Sequence, residues 1–197
     1  MTSDQAIAVF AFSLVASITP GPSNTMILST GTAVGAVRGL PCVLGASMGM
    51  ALVLFASALG LGHIVLAQPS LLQILKWAGG AFLLWVAWKI ATSRNSPASG
   101  SGPPVGFLGA TAFQWVNPKG WLVAVSAAGT FLREGNAPVA DALAFGAVFF
   151  CAAFPSGLAW LSLGAGLHRL LRNDRRARAF NVAMALALTA SVAPTFM

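Results

Sequence analysis

The sequence predicts an all-α integral membrane protein with six transmembrane helices, and three observations carry that expectation. The 197 residues are 57% hydrophobic and only 8% charged, where soluble domains carry about 25% charged residues. The charges are also widely spaced: none occurs between Asp4 and Arg38, between Arg38 and Lys76, or between Asp141 and Arg169. Uncharged apolar runs beyond about 18 residues are long enough to cross a bilayer. Finally, two Pro/Gly interruptions, Thr19-Pro20-Gly21-Pro22 and Asn117-Pro118-Lys119-Gly120, fall near the centres of two such runs. A break at that depth survives only where protein or a polar cavity covers the backbone it frees.

Taken in order, the first span runs roughly from Gln5 to Thr30 and contains the first break. The second, Gly39 to His63, carries the small-residue spacing Gly45-xxx-Gly49, and Gly31-xxx-Gly35 precedes it. Such spacings suit close helix packing and also allow self-association into a homo-oligomer. The third, Leu71 to Thr92, has Trp77 near one end and Trp85 and Trp88 towards the other, as interfacial anchors do. The fourth, Val105 to Phe131, holds the second break, with Trp115 and Trp121 beside it as packing residues or cavity walls. The fifth runs from Val139 to Leu163 and the sixth from Ala179 to Phe196. His63 and His168 fall at span ends and read as interfacial.

Residues 93–104, rich in Ser, Gly and Pro, are too polar to enter the bilayer and divide the chain almost in half. Residues 1–92 form one three-helix half and residues 105–197 the other. With an odd number of spans per half, the second half enters the membrane in the opposite sense, so homologous halves form a 3+3 inverted repeat with helices one and four broken. A shift of 98 places Pro20 on Pro118, Gly31 on Gly129 and Thr32 on Thr130, and a shift of 97 places Pro41 on Pro138. The matched breaks carry more weight than these few identities.

Eight Lys or Arg residues (Arg38, Lys89, Arg94, Arg169, Arg172, Arg175, Arg176 and Arg178) lie on the side of the loops after spans one, three and five. Lys76 and Arg133 lie on the other side. The positive-inside bias then puts those three loops in the cytoplasm and both termini outside. The same bias explains the net charge of +7 without a nucleic-acid partner; the arginine-rich run 169–178 also suits anionic lipid headgroups. Cys42 and Cys151 lie in apolar segments without metal-ligand spacing, so small buried residues are expected, with neither a disulfide nor a metal site. Asp4 stands where a signal peptide has basic residues, so the first span is expected to remain in the mature chain.

The breaks define the chemistry. A proline cannot donate to the carbonyl four residues earlier, so Pro20, Pro22 and Pro118 free the carbonyls of Ala16, Ile18 and Gln114. The restart at Ser23-Asn24-Thr25 offers unpaired N–H groups at a positive helix end, which suits a carboxylate. Gly21 and Gly120 allow close approach to the backbone. Donors for an anion beside acceptors for an ammonium match a zwitterionic amino acid. Lys119 is either a carboxylate partner in a substrate path or a structural lysine bonded to the freed carbonyls of span one; an ionisable group at this depth favours the first. Asn117 either caps the restarted helix or touches substrate. Asp141, near the start of span five, either carries a coupling proton or complements the helix dipole as a solvated acid, and the second reading is favoured.

An enzyme is not expected. Gly45-Ala46-Ser47-Met48-Gly49 matches G-x-S-x-G, but a nucleophile elbow needs a strand–turn–helix context and this segment reads as helix. There is no paired-carboxylate or metal-ligand cluster and no phosphate-binding loop. No catalytic residue and no cofactor are assigned.

These residues resemble the LysE/RhtB amino-acid exporters, small six-segment proteins of the bacterial inner membrane. The family's T-P-G-P followed by a short polar stretch is matched by Thr19-Pro20-Gly21-Pro22-Ser23-Asn24, and its N-P-K by Asn117-Pro118-Lys119. The stretch from Leu75 to Lys89 is also similar, so the resemblance covers nearly the whole chain. Trp85 to Ser93 and Phe113 to Asn117 look most like the cysteine/O-acetylserine exporters. The resemblance implies a secondary exporter of a small neutral amino acid, working by alternating access and driven by the proton gradient. Its site would be formed by Pro20, Gly21, Pro22, Ser23, Asn24, Asn117, Pro118 and Lys119. Many family members have Asp after T-P-G-P, where this chain has Ser23, in keeping with a substrate that lacks a charged side chain. A membrane-embedded enzyme and a passive channel or structural subunit are the alternatives.

Overall fold

The computed structural model describes residues 1–92, 105–132 and 139–170, together with Arg178, Ala179, Val182, Ala183 and Leu186. Within them the secondary structure is entirely helical: α1 (Ser3–Ile18), α2 (Pro22–Ala58), α3 (Leu61–Ala67), α4 (Pro69–Thr92), α5 (Phe107–Val116), α6 (Pro118–Phe131) and α7 (Val139–Leu170). The linker at 93–104, the loop containing Arg133 and Glu134, and nearly all of the sixth expected span lie outside the described residues.

Both expected breaks are present. α1 ends at Ile18 and α2 begins at Pro22; α5 ends at Val116 and α6 begins at Pro118. In each case proline takes the first helical position, where its missing N–H costs nothing and its fixed φ suits the new helix. α5 and α6, of 10 and 14 residues, are each shorter than the roughly 20 residues that a membrane-spanning helix needs. α1 starts in a capping box: Thr2 Oγ1 accepts from the Gln5 N–H, and Gln5 Oε1 accepts from the Thr2 N–H.

The junction expected between spans one and two falls at Gly35, where two helical segments of α2 meet and the chain folds back, so that Thr30 Oγ1 lies 3.7 Å from Cys42 Sγ. Gly35 has φ 79°, a conformation that side-chain-bearing residues avoid, and the helical hydrogen bonding resumes directly after it. Gly60, at φ 98°, turns the chain out of α2 into α3. Two helices among the described residues are long and apolar enough to cross a membrane, α2 and α7.

α7 packs along α2 and α1, while α5 and α6 pack on α2 from another side. One core cluster joins Val9, Met50, Leu54, Trp121, Phe145 and Phe149; a second joins Met26, Ile27, Val43, Phe113 and Leu161. Glycines bring the backbones together. A Cβ at Gly45 or Gly49 would collide with the α5 carbonyl of Phe107 or Thr111, and one at Gly31 with the α7 carbonyl of Leu161. These small residues are therefore taken up in packing within the chain. Cys42 is buried as expected, but Cys151 is exposed on α7, because its position faces away from both core clusters.

Candidate functional site

A cavity of about 70 Å³ lies where the two breaks meet, between the two core clusters. It is large enough for several waters or a small ligand. Gly21, Ser23 and Asn24 border it from the first break, and Asn117, Lys119 and Gly120 from the second. Met50 and Phe149 form part of its apolar wall. Of the residues singled out in the sequence, Pro20, Pro22, Pro118 and Asp141 do not line it. The prolines shape the breaks instead.

Three carbonyls at the end of α1 accept from side chains. Asn24 Nδ2 donates to the carbonyls of Ser17 (2.8 Å) and Thr19 (2.9 Å). Lys119 Nζ donates to the carbonyls of Thr19 (3.0 Å) and Pro20 (3.2 Å). A cation at a helix C-terminus is also favoured by the helix dipole. A Cβ at Gly21 would lie 2.8 Å from Lys119 Nζ, so glycine leaves the space in which the lysine crosses the break. The contacts of Lys119 are thus those of a structural lysine bonded to span one, while its side chain also borders the cavity. The carbonyls that take these side chains are those of Ser17, Thr19 and Pro20, not the Ala16 and Ile18 carbonyls that the missing N–H groups of Pro20 and Pro22 free. At the second break, the Gln114 carbonyl freed by Pro118 accepts from the Asn117 N–H at 3.3 Å.

The helix starts differ from the helix ends, because neither has a side-chain cap. Gly21 at the N-cap of α2 has no side chain, and Asn117 at the N-cap of α6 makes no capping bond. The first N–H groups of a helix have no intrahelical acceptor. Those of Ser23 and Asn24 on α2, and of Lys119 and Gly120 on α6, belong to residues that border one cavity. Two positive helix ends and one ammonium converge there.

A side-chain bridge links the two breaks. Gln114 Nε2 donates to Ser23 Oγ at 2.7 Å, and Asn117 Nδ2 donates to Gln114 Oε1 at 3.0 Å. Asn117 Oδ1 and Ser17 Oγ are buried and have no partner. The sequence reading missed Gln114 and Ser17 as site residues. The signal for Gln114 was available: a lone amide in an apolar run, three residues before Asn117 and therefore on the same helix face.

Trp115 and Trp121 are packing residues rather than cavity walls. Their rings meet edge to face at 5.9 Å, and Trp121 Nε1 donates to the Trp115 carbonyl at 2.8 Å. Asp141 lies at the start of α7 and accepts from the amino group of Met1 at 2.6 Å, tying α1 to α7. Ser47 of the G-x-S-x-G pattern is buried in the interior of α2, away from any strand or turn. No group of three or more potential metal ligands occurs among the described residues.

Comparison with known proteins decides the family. Residues 14–193 match the LysE type translocator family. The chain belongs to this family. It is 29% identical over 188 residues to the cysteine/O-acetylserine efflux protein of Escherichia coli (strain K12), covering 95% of each chain. It is 34% identical over 125 residues to the protein of that name from Salmonella typhimurium, covering 64% of each chain, so that match spans under two thirds of the relative. No solved structure matches this LysE-family chain. Membership places it in a family of membrane translocators, in keeping with the apolar helices α2 and α7.

Proposed function

We propose that this LysE-family protein exports a small neutral amino acid, of the cysteine or O-acetylserine kind, across the bacterial inner membrane. The observation that carries the reading is the convergence of two uncapped helix N-termini and Lys119 on one cavity at the junction of two broken helices. Discontinuous helices whose positive ends point at an anionic substrate group are a recurring way to build a transporter's midplane site. The substrate carboxylate would sit against the N–H groups of Ser23, Asn24, Lys119 and Gly120. Its ammonium would lie towards Asn117 Oδ1 and the Ser17 hydroxyl, the buried oxygens without partners. The apolar side chains of Met50 and Phe149 leave room for a short side chain.

Alternating access follows as the working mechanism. The two broken spans, one and four, would rock against the remaining helices, with the two halves arranged as a 3+3 inverted repeat and the loops after spans one, three and five in the cytoplasm. Energy would come from the proton gradient. The Asp141 ion pair with the amino terminus supports a tethering role for that acid rather than proton coupling.

Counterflow of labelled cysteine or O-acetylserine into loaded proteoliposomes tests the reading. Saturable exchange that unlabelled substrate competes away is the expected result. Linear, uncompeted flux would identify a channel, and chemical conversion of the label would identify an enzyme.

A further inference from the structure

Gln114 is 1% exposed, lies on α5 less than one turn before the break, and has a different partner at each end of its amide. Its amide joins a residue of the first break, Ser23, to one of the second, Asn117. A buried amide held at both ends has its orientation set by its neighbours. Because Ser23 Oγ accepts from Gln114, its own O–H is left to donate. Because Asn117 spends its Nδ2 on Gln114, its Oδ1 is left as a partnerless acceptor in a side chain only 3% exposed. This sense of the chain suits the site: two helix N-termini and an ammonium make the cavity positive, and a positive cavity favours the oxygen end of the amide. The polar lining therefore consists of backbone N–H groups, hydroxyls, neutral amides and Lys119, with no carboxylate among the described residues that border it.

We propose that Gln114 determines the charge selectivity of the exporter: as a neutral bridge between the two broken helices, it admits amino acids with an uncharged side chain and excludes those bearing a second ammonium. The proposal rests on the export reading above. A zwitterion satisfies this lining, its carboxylate meeting the helix ends and its single ammonium the neutral oxygens. A second ammonium would be desolvated beside Lys119 with no counter-charge, and burial of an unpaired charge is strongly disfavoured. Gln114 is the position where one isosteric change supplies that counter-charge. A carboxylate there still accepts from Asn117 Nδ2 and from the Ser23 hydroxyl, and it takes the lining from one net positive charge to none.

The test compares wild type, Gln114→Glu and Gln114→Met in proteoliposomes, using labelled O-acetylserine and a smaller cationic amino acid that the same space admits, 2,4-diaminobutyrate. Wild type is expected to exchange the first and not the second. Gln114→Glu is expected to gain diaminobutyrate exchange by about tenfold or more, the effect of a hydrogen-bonded charge. Gln114→Met keeps the volume but breaks the bridge, and is expected to raise the KM for O-acetylserine about tenfold without any cationic transport. Gln114→Glu with wild-type selectivity, or Gln114→Met with the wild-type KM, overturns the proposal. Should neither variant fold, thermal stabilisation of the wild type decides: O-acetylserine is expected to raise its melting temperature and diaminobutyrate to leave it unchanged, and equal stabilisation by both overturns the assignment. A wild type that exchanges neither compound overturns the export reading itself, which is a different failure.

Discussion

Lys119 Nζ on α6 lies 3.0 Å from the Thr19 carbonyl oxygen at the end of α1, so the ammonium of one broken helix closes the open end of the other. The two breaks are thus one structural unit, and each supplies what the other lacks. α1 ends in carbonyls without helical partners, and α6 opens with a cation one residue after its proline. A ligand carboxylate at the neighbouring helix starts would compete with these carbonyls for the lysine. That competition would couple binding to the geometry of the break.

Lys119→Gln separates the two roles of the lysine. The amide keeps a donor for the Thr19 carbonyl but loses the charge. Exchange is expected to fall roughly ten- to hundredfold, as for loss of a charge-assisted bond of about 1.5–3 kcal/mol. The melting temperature in detergent should change little. Full exchange by the folded variant would remove Lys119 from the substrate path.

Asn24 is expected to matter for stability more than for charge. Its Nδ2 holds two carbonyls of α1, and Asn24→Asp would set carboxylate oxygens against both. Loss of a buried donor leaves partners unsatisfied at a cost of about 1–3 kcal/mol. Thermal unfolding in detergent should show Asn24→Asp well below wild type, with Ser23→Ala, which removes a single bond to Gln114, between them.

Much of this arrangement was legible in the sequence because proline and glycine act through local sterics. The positions of both breaks, with proline at the first residue of each restarted helix, follow from the missing N–H alone. The partners of the freed groups do not. Which side chain reaches a given carbonyl depends on how α1, α2 and α6 pack, and so Asn24 and Lys119 take the carbonyls of Ser17, Thr19 and Pro20 rather than those that the missing proline N–H groups free. Gln114 was passed over because an amide carries no charge to mark it, and its importance arises only from a contact 91 residues away along the chain. Cys151 was expected inside because an apolar span does not announce its lipid-facing side, and helix periodicity alone could not choose between the faces of α7.

Asp141→Asn tests the tether. The aspartate side chain is 40% exposed and its partner is the chain terminus, and exposed ion pairs contribute about 0.2–1 kcal/mol. Proton-driven uptake should persist at the wild-type rate, with at most a small fall in melting temperature. Loss of proton dependence with substrate exchange intact would return the acid to a coupling role.

Topology can be read by cysteine labelling once the exposed Cys151 is removed. In a Cys151→Ser background, Ser99→Cys should react with a membrane-impermeant maleimide in inverted vesicles and not in intact cells. The reverse pattern would invert the orientation argued from the lysines and arginines.

The contact between α2 and α7 gives a contrast between two glycines two residues apart on one helix. A Cβ at Gly164 would collide with the Leu28 carbonyl, whereas a Cβ at Gly166 meets nothing within 4 Å. The obstacle at Gly164 is backbone, which cannot rotate aside as a side chain can, so α7 must move away from α2. Overpacking of this kind costs about 1–3 kcal/mol. Replacing a helical glycine by alanine also brings a gain of about 1 kcal/mol in helix propensity, and at Gly166 that gain stands unopposed. Gly164→Ala should therefore lower the melting temperature in detergent, and Gly166→Ala should hold or raise it. Gly31→Ala attacks the same interface from the other side, where its Cβ would meet the Leu161 carbonyl. Combined with Gly164→Ala, it should cost less than the sum of the two single changes, because one separation of the helices relieves both collisions. Equal stabilities for Gly164→Ala and Gly166→Ala would show that α2 and α7 are not packed backbone to backbone.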